Sequence, residues 1–110
     1  GNYLISTGNG HSVLEVTPSR EIVWKLEQNE IEGVTLGWVT SLQELPNGNL
    51  VIGNCHAKKE NPQIIEITRD KELVWRFSNW NYFGNNMPTS LVIDDKAAAA
   101  LLAELKNVGN

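Results

Sequence analysis

Residues 1–6 have the sequence GNYLIS, and residues 48–53 repeat this pattern as GNLVIG. Three further pairs of segments recur in the same order: VLEVT at 13–17 and IIEIT at 64–68, EIVWKL at 21–26 and ELVWRF at 72–77, and TSL at 40–42 and 89–91. Matching segments that keep their order indicate an internal repeat with a period of about 50 residues. The chain is therefore predicted to contain the same structural unit twice.

Each repeated segment has the composition of a β-strand. It is rich in β-branched and apolar residues and is bounded by Gly, Pro, Asn or Asp. Apolar and polar residues alternate within 13–17 and 64–68, which predicts strands with one buried and one wetter face. Four strands are predicted in each repeat: 3–7, 12–17, 21–26 and 39–45 in the first, and 50–54, 63–68, 72–77 and 89–93 in the second.

A four-stranded unit of this length is typical of a β-propeller blade. The motif order also resembles the blades of PQQ-like propellers: Gly-Asn with three apolar residues, then two apolar residues with Glu, one apolar and Thr, then a polar turn and a Val-Trp strand. That superfamily includes quinoprotein dehydrogenases and arylsulfotransferase-like proteins. The resemblance covers residues 1–95 and implies an all-β fold of two four-stranded antiparallel blades, 1–46 and 47–95.

Two blades do not close a propeller, which needs about four to eight around its channel. Alone, they would leave flanking faces that carry Trp24 and Trp75 open to water. We therefore expect self-association into a ring, with a trimer of about six blades favoured over a dimer or tetramer. The alternative is that the chain is a piece of a longer propeller.

The tail, residues 96–110, has a different composition. Residues 96–106 are almost entirely strong helix formers, and an aspartate precedes them as a candidate N-cap, so a helix is predicted. Residues 103–107 also resemble 43–47, which leaves a second possibility. In that case residues 101–105 would form a strand that closes the first blade.

Composition excludes several kinds of partner and site. The chain has 110 residues, a net charge of −4 and no dense basic run, so neither nucleic acid nor an anionic membrane is an expected partner. No apolar stretch approaches the roughly 20 residues that a membrane span requires. The single cysteine, Cys55, excludes an internal disulfide and a Cys-rich zinc site. The sequence assigns no cellular compartment.

Six residues in predicted loops or at strand ends are candidates for ligand contacts, because rigid scaffolds carry binding residues on their loops. They are His11, Trp38, His56, Trp80, Asn85 and Asn86. Indole rings stack and imidazoles and amides form hydrogen bonds, which suits a sugar or another small polar ligand. The structural alternative is that His and Asn stabilise tight turns and that the aromatic rings pack the loops onto the scaffold.

Other conspicuous residues have simpler structural explanations. Trp24 and Trp75 occupy equivalent positions and are predicted to wedge between neighbouring blades. Cys55 precedes His56, but neighbours on a strand point to opposite sides, so no contact between them is expected and Cys55 is predicted to be a small buried residue. One histidine per blade does not build a metal site, and the resemblance carries over no PQQ or calcium site.

The sequence lacks the common catalytic motifs, including the P-loop, the dinucleotide fingerprint and the serine nucleophile elbow. We therefore expect a non-catalytic binding or scaffolding module without a cofactor. The alternative implied by the resemblance is part of a quinoprotein oxidoreductase or of an arylsulfotransferase-like enzyme.

Overall fold

The computed structural model describes residues 1–108, which form two antiparallel sheets and two helices. The elements are β1 (Tyr3–Ser6), β2 (Val13–Val16), β3 (Ile22–Leu26), β4 (Trp38–Glu44), β5 (Leu50–Cys55), β6 (Ile64–Ile67), β7 (Leu73–Phe77), α1 (Trp80–Phe83) and α2 (Asp95–Val108). The first sheet has the order β1-β2-β3 and the second has the order β4-β5-β6-β7. The expectation of a mainly β chain with a short C-terminal helix is confirmed.

The sequence repeat is also a repeat of hydrogen bonds. Asn2 donates from Nδ2 to Oε1 of Glu15 at 3.0 Å, and its counterpart Asn49 donates in the same way to Glu66 at 2.9 Å. The register of the antiparallel ladder shifts directly after each of these glutamates. The two sheets therefore share their irregularities as well as their strand order.

One predicted strand belongs to a different sheet than expected. The strand at 39–45 was assigned to the first unit, 1–46, but β4 pairs along its length with β5. The cause is the tight turn at Pro46–Asn49, where the N–H of Leu45 donates to the carbonyl of Asn49 at 2.9 Å. A tight turn makes its flanking strands neighbours, whereas the 27–37 link separates β3 from β4. The first sheet consequently has three strands and the second has four.

The strand predicted at 89–93 does not form. Val92 instead bonds with the side-chain amide of Gln43: its N–H donates to Oε1 at 2.8 Å, and its carbonyl accepts from Nε2 at 3.1 Å. A strand requires a backbone ladder, and residues 1–108 offer this segment only a side chain on β4. The segment stays exposed, with Leu91 75% accessible.

The tail predicted at 96–110 is helical through Val108, and residues 109 and 110 lie outside the described part of the chain. Oδ1 of Asp94 accepts a hydrogen bond from the N–H of Ala97 at 2.7 Å, which satisfies one free amide at the start of α2. Of the two possibilities for the tail, the structure contains the helix. Neither helix in residues 1–108 is long and apolar enough to cross a membrane.

The hydrophobic core lies between the two sheets. Its fully buried strand residues are Val13 and Leu26 from the first sheet and Val39, Leu50, Ile52, Ile65 and Ile67 from the second. Ile31, Val34 and Leu36 of the 27–37 link close one end of this layer. Alternation within 64–68 identifies the buried face, which carries Ile65 and Ile67. In 13–17 the fully buried residue is Val13, whereas Leu14 lies on the outer face beside Ile5, because both faces of this strand carry apolar residues.

The two equivalent tryptophans have different surroundings. Trp24 packs against the core and donates from Nε1 to the carbonyl of Arg69 in the second sheet at 3.0 Å, so it lies at the predicted wedge position. Trp75 is 49% exposed and stacks on Phe77, with ring centroids 6.2 Å apart. No sheet covers that face within residues 1–108, so the wedge prediction for Trp75 is wrong for a single copy of the chain.

Arg69 joins the sheets electrostatically. Its guanidinium bonds to Glu15 of the first sheet at 2.7 Å and to Glu44 of the second, and it lies 5.2 Å from the Trp24 ring. The hydrogen bond from Asn2 and then the bond from Arg69 hold the pKa of Glu15 below its ordinary value of 4.5. The folded state therefore favours ionised Glu15.

Acid is expected to weaken the contact between the sheets. Because the folded pKa of Glu15 is lowered, its contribution to stability is complete above pH 4.5 and is lost as the pH falls through the folded pKa. Urea unfolding at a series of pH values measures this effect. On acidification, the free energy of unfolding should fall less in Glu15→Gln than in the wild type. The matched control is Glu66→Gln, whose carboxylate has no ion pair within residues 1–108. If both variants change the pH profile equally, Arg69 is not the linking group.

Candidate functional site

Two histidines follow the first strand of each repeat with the same backbone conformation. His11 and His56 both have φ near 54°, in the left-handed region that His, Asn and Asp enter more readily than most residues. The carbonyl of Gly37 accepts a hydrogen bond from Nδ1 of His11 at 2.7 Å. This bond joins His11 to the 27–37 link, 26 residues along the chain, and not to its own Gly-containing turn. The Nε2 atom of the ring remains for another partner.

Both histidines line one cleft of about 430 Å³, which we call the His11–His56 cleft. It lies where the 27–37 link meets the segment after β5. The polar side chains along its walls are those of Gln28, Thr35, Lys58, Glu60 and Asn61. Imidazole, amide, hydroxyl and charged groups thus face one concave surface, a composition that suits a polar ligand.

Trp38 supplies an aromatic surface beside this cleft. Its ring meets the His56 ring edge to face, with centroids 5.3 Å apart and planes at 61°. The indole is 41% exposed, and it lies over Gly8, where a Cβ would come within 2.9 Å of Nε1. The repeated Gly-containing turn therefore leaves room for the tryptophan, and part of the ring remains available to a ligand.

Asn85 is joined to His56 through the backbone. Its carbonyl accepts from the N–H of His56 at 3.0 Å, and its Oδ1 accepts from the N–H of Lys58 at 3.2 Å. These bonds hold the 78–88 link against the end of β5. Asn85 is thus placed near the cleft, but its acceptors are used to position the loop.

Cys55 contacts His56, contrary to the expectation from strand alternation. The distance from Sγ to Nδ1 is 3.0 Å, and Sγ also lies 3.3 Å from the carbonyl of Asn85, to which the thiol donates. Alternation ends here because His56 has left-handed φ and no longer follows the extended strand. Cys55 is only 2% exposed, as predicted for a small buried residue.

The remaining two candidates, Trp80 and Asn86, lie elsewhere on the 78–88 link. Trp80 begins α1, where the N-cap Asn79 accepts from the N–H of Tyr82 at 3.1 Å, and Asn86 donates from its backbone to Phe83 at 3.2 Å. Neither is among the residues that line the His11–His56 cleft. Of the six candidates, His11 and His56 line the cleft, and Trp38 and Asn85 contact His56 beside it. The backbone hydrogen bonds of Trp80 and Asn86 stay within the 78–88 link.

Sequence reasoning missed Asn54, the residue that shapes the cleft from beneath. It is 1% exposed, and its Oδ1 accepts from the N–H of Gly37 at 2.7 Å. Its Nδ2 donates to the carbonyls of Thr35 and Pro62, both at 3.1 Å. The only signal was an amide in an otherwise apolar strand, since its partners lie 8 to 19 residues away.

Gly37 has no space for a side chain. A Cβ at this position would lie 2.8 Å from Cα of Ala57 and 2.9 Å from the carbonyl oxygen of Cys55. The backbone of the 27–37 link therefore approaches the segment after β5 as closely as backbone atoms allow. This close approach sets the carbonyl that receives the His11 hydrogen bond.

No protein-family model matches the chain, and no curated protein does either. Among solved structures, the chain is similar to a protein of unknown function from Bacteroides caccae, whose crystal structure was determined at 1.35 Å resolution. The two share 32% sequence identity over 77% of this chain, with a TM-score of 0.66. The match covers 34% of the other protein, so the chain spans about a third of its length.

Proposed function

We propose that this chain is a two-blade module of a PQQ-like β-propeller that binds a small polar ligand at the His11–His56 cleft and performs no catalysis. The two histidines on one concave surface, with the Trp38 ring beside it against His56, carry the proposal. A sugar suits these groups, because its C–H face stacks on an indole while its hydroxyls bond to imidazoles and amides.

The blade assignment is supported by the packing of one repeat on the other. Two antiparallel sheets with the same bulge and the same Asn–Glu bond lie face to face around one core. The similar solved protein is about three times as long as the part that this chain matches, which accords with a fold that needs more than two blades. The proposed module is completed by further blades, in the first place by self-association into a trimeric ring.

The competing assignment is part of a quinoprotein oxidoreductase or an arylsulfotransferase-like enzyme. A ligand that binds only the folded state raises the melting temperature, so the two assignments differ in which ligand does so. PQQ with calcium, or an aryl sulfate, should leave the melting temperature unchanged. An increase with either compound would favour the enzyme and contradict the binding module.

Ligand binding is tested by following the four indole N–H signals in ¹H–¹⁵N spectra during titration with millimolar glucose, galactose, N-acetylglucosamine and maltose. We expect the Trp38 signal to move with at least one sugar. His56→Ala should weaken that binding about tenfold, a loss of about 1.4 kcal/mol. Trp80→Phe is the control, since Trp80 does not line the cleft. The proposed site would be contradicted if no sugar moved the Trp38 signal, or if His56→Ala and Trp80→Phe weakened sugar binding equally.

A further inference from the structure

The first sheet has an open edge at β1. In the second sheet, the counterpart of β1 is β5, and β5 is paired on that side with β4. In the first sheet β1 is the terminal strand, and within residues 1–108 only Gly8, beyond its end, bridges to Val39. The backbone groups along the free side of β1 thus resemble an unfinished ladder, and such an edge is a template for strand pairing.

The chain also contains a segment, residues 89–93, that has the composition of a strand but forms no backbone ladder within residues 1–108. Residues 89–91 repeat the TSL of β4, and the apolar side chains of Leu91, Val92 and Ile93 are 75%, 43% and 43% exposed. The segment belongs to no helix or strand within residues 1–108, so pairing would not require a strand or helix to be broken. Within residues 1–108, the first sheet therefore lacks an inner strand, and residues 89–93 have the sequence of an inner strand but pair with no sheet.

We propose that residues 89–93 of one copy pair antiparallel with β1 of a second copy and complete its sheet to four strands. This inference rests on the proposed propeller module and specifies how its copies join. The β4–β5 ladder supplies the register, because Leu42 pairs with Ile52 and Glu44 pairs with Leu50. The equivalent pairs between copies are Leu91 with Ile5 and Ile93 with Tyr3.

The segment's own β1 is not accessible to it. Val92 bonds to Gln43, and Gln43 pairs with Val51 on the face of the second sheet that looks away from the first sheet. The adjacent pair, Leu42 and Ile52, packs in the core on the opposite face. The second sheet thus lies between the segment and β1 of the same chain, so pairing of 89–93 with β1 requires another copy.

The pairing would place the outer face of one copy's first sheet against the outer face of another copy's second sheet. These two faces are the sequence counterparts of the two faces that pack together within one chain. The outer face of the first sheet carries Tyr3, Ile5 and Leu14, whose counterparts in the second sheet are Leu50, Ile52 and Ile65. Those three counterparts are fully buried against the first sheet. A second copy therefore presents the kind of surface that the second sheet presents to the first sheet within one chain.

The outer face of the second sheet, which would form the other side of the contact between copies, also has a buried counterpart. Trp75 and Phe77 occupy the positions of Trp24 and Leu26, which pack into the core. The contact is head to tail, so repetition leads to a ring if the rotation closes. One feature differs: the counterpart of Arg69 is Pro18, so Glu66 gains no arginine there. The junction between copies should therefore be weaker than the one within a chain.

Directed disulfide formation tests the register. Leu91→Cys and Ile5→Cys, each in a Cys55→Ser background, are purified separately, reduced, mixed and mildly oxidised, and mixed disulfides are quantified by mass spectrometry. We expect Leu91→Cys to link to Ile5→Cys at least several-fold more than to Leu4→Cys, because Leu4 points to the other face. If Leu4→Cys does not fold, Ser6→Cys replaces it as the partner on that face.

Two results would overturn the inference. One is equal linking to both faces of β1, and the other is a monomeric mass by light scattering over the whole range of protein concentrations tested. Neither result bears on the cleft, since the Trp38 titration with sugars is read within a single copy. A chain that remains monomeric but binds a sugar would retain the proposed binding role and lose the pairing between copies.

Discussion

Replacement of Trp24 by alanine is expected to lower the free energy of unfolding by about 3–5 kcal/mol. The side chain packs against the core between the sheets, its Nε1 donates to the carbonyl of Arg69, and its ring faces the Arg69 guanidinium. Alanine would remove this packing and leave the carbonyl without that donor. The Arg69 side chain would also lose the ring surface on which it rests.

Trp75→Ala is the matched control, because the two tryptophans hold equivalent positions in the repeat. With half its surface exposed, Trp75 should contribute about 1 kcal/mol or less in dilute solution. Urea unfolding of both variants at low protein concentration measures the difference. Equal losses of unfolding free energy in the two variants would contradict the conclusion that Trp24 is packed between the sheets while Trp75 is exposed. At concentrations where copies associate, Trp75→Ala should weaken the assembly instead.

The second large effect is expected from Asn54→Ala, which should destabilise the fold by about 3 kcal/mol or more, since each buried polar group left without a partner costs about 1–3 kcal/mol. The variant leaves the N–H of Gly37 and the carbonyls of Thr35 and Pro62 without their amide partner. Water cannot readily replace the amide, because Asn54 is almost fully buried.

Asn9→Ala is the control for this experiment. Asn9 is the sequence counterpart of Asn54 in the first repeat but is exposed, so its loss should change stability by about 0.5 kcal/mol or less. Besides denaturant unfolding, amide hydrogen exchange at Gly37 distinguishes the two variants. Exchange should accelerate in Asn54→Ala and remain unchanged in Asn9→Ala. Slow exchange at Gly37 in both variants would contradict the role of Asn54 in shaping the cleft.

The strands were largely predictable because the repeated segments combine alternation with clear turn residues, as in the segment that became β6. The pairing of the strands was harder to predict, because alternation shows which face of a strand is buried but not which strand lies next to it. The tight turn at Pro46–Asn49 did contain the information that β4 pairs with β5, because local turns outweigh repeat boundaries in deciding pairing. Residues 89–93 have strand composition, but composition cannot supply a backbone partner.

The candidate site was partly predictable for a different reason. Repetition at the sequence level marked His11 and His56, which line the same cleft. The contact between Cys55 and His56 was not predictable, because it depends on a left-handed φ that the sequence does not reveal. Asn54 escaped notice because its role arises from hydrogen bonds to distant segments.

The offset between the sequence repeat and the sheets has an evolutionary consequence. Because β4 precedes the second Gly-Asn motif but belongs to the second sheet, that sheet takes one strand from the first repeat and its other three from the second. Tandem duplication of one repeat would therefore add three strands of a new sheet and the inner strand of the following one. In the proposed ring, unequal recombination of such a gene would change the number of blades without leaving a strand unpaired.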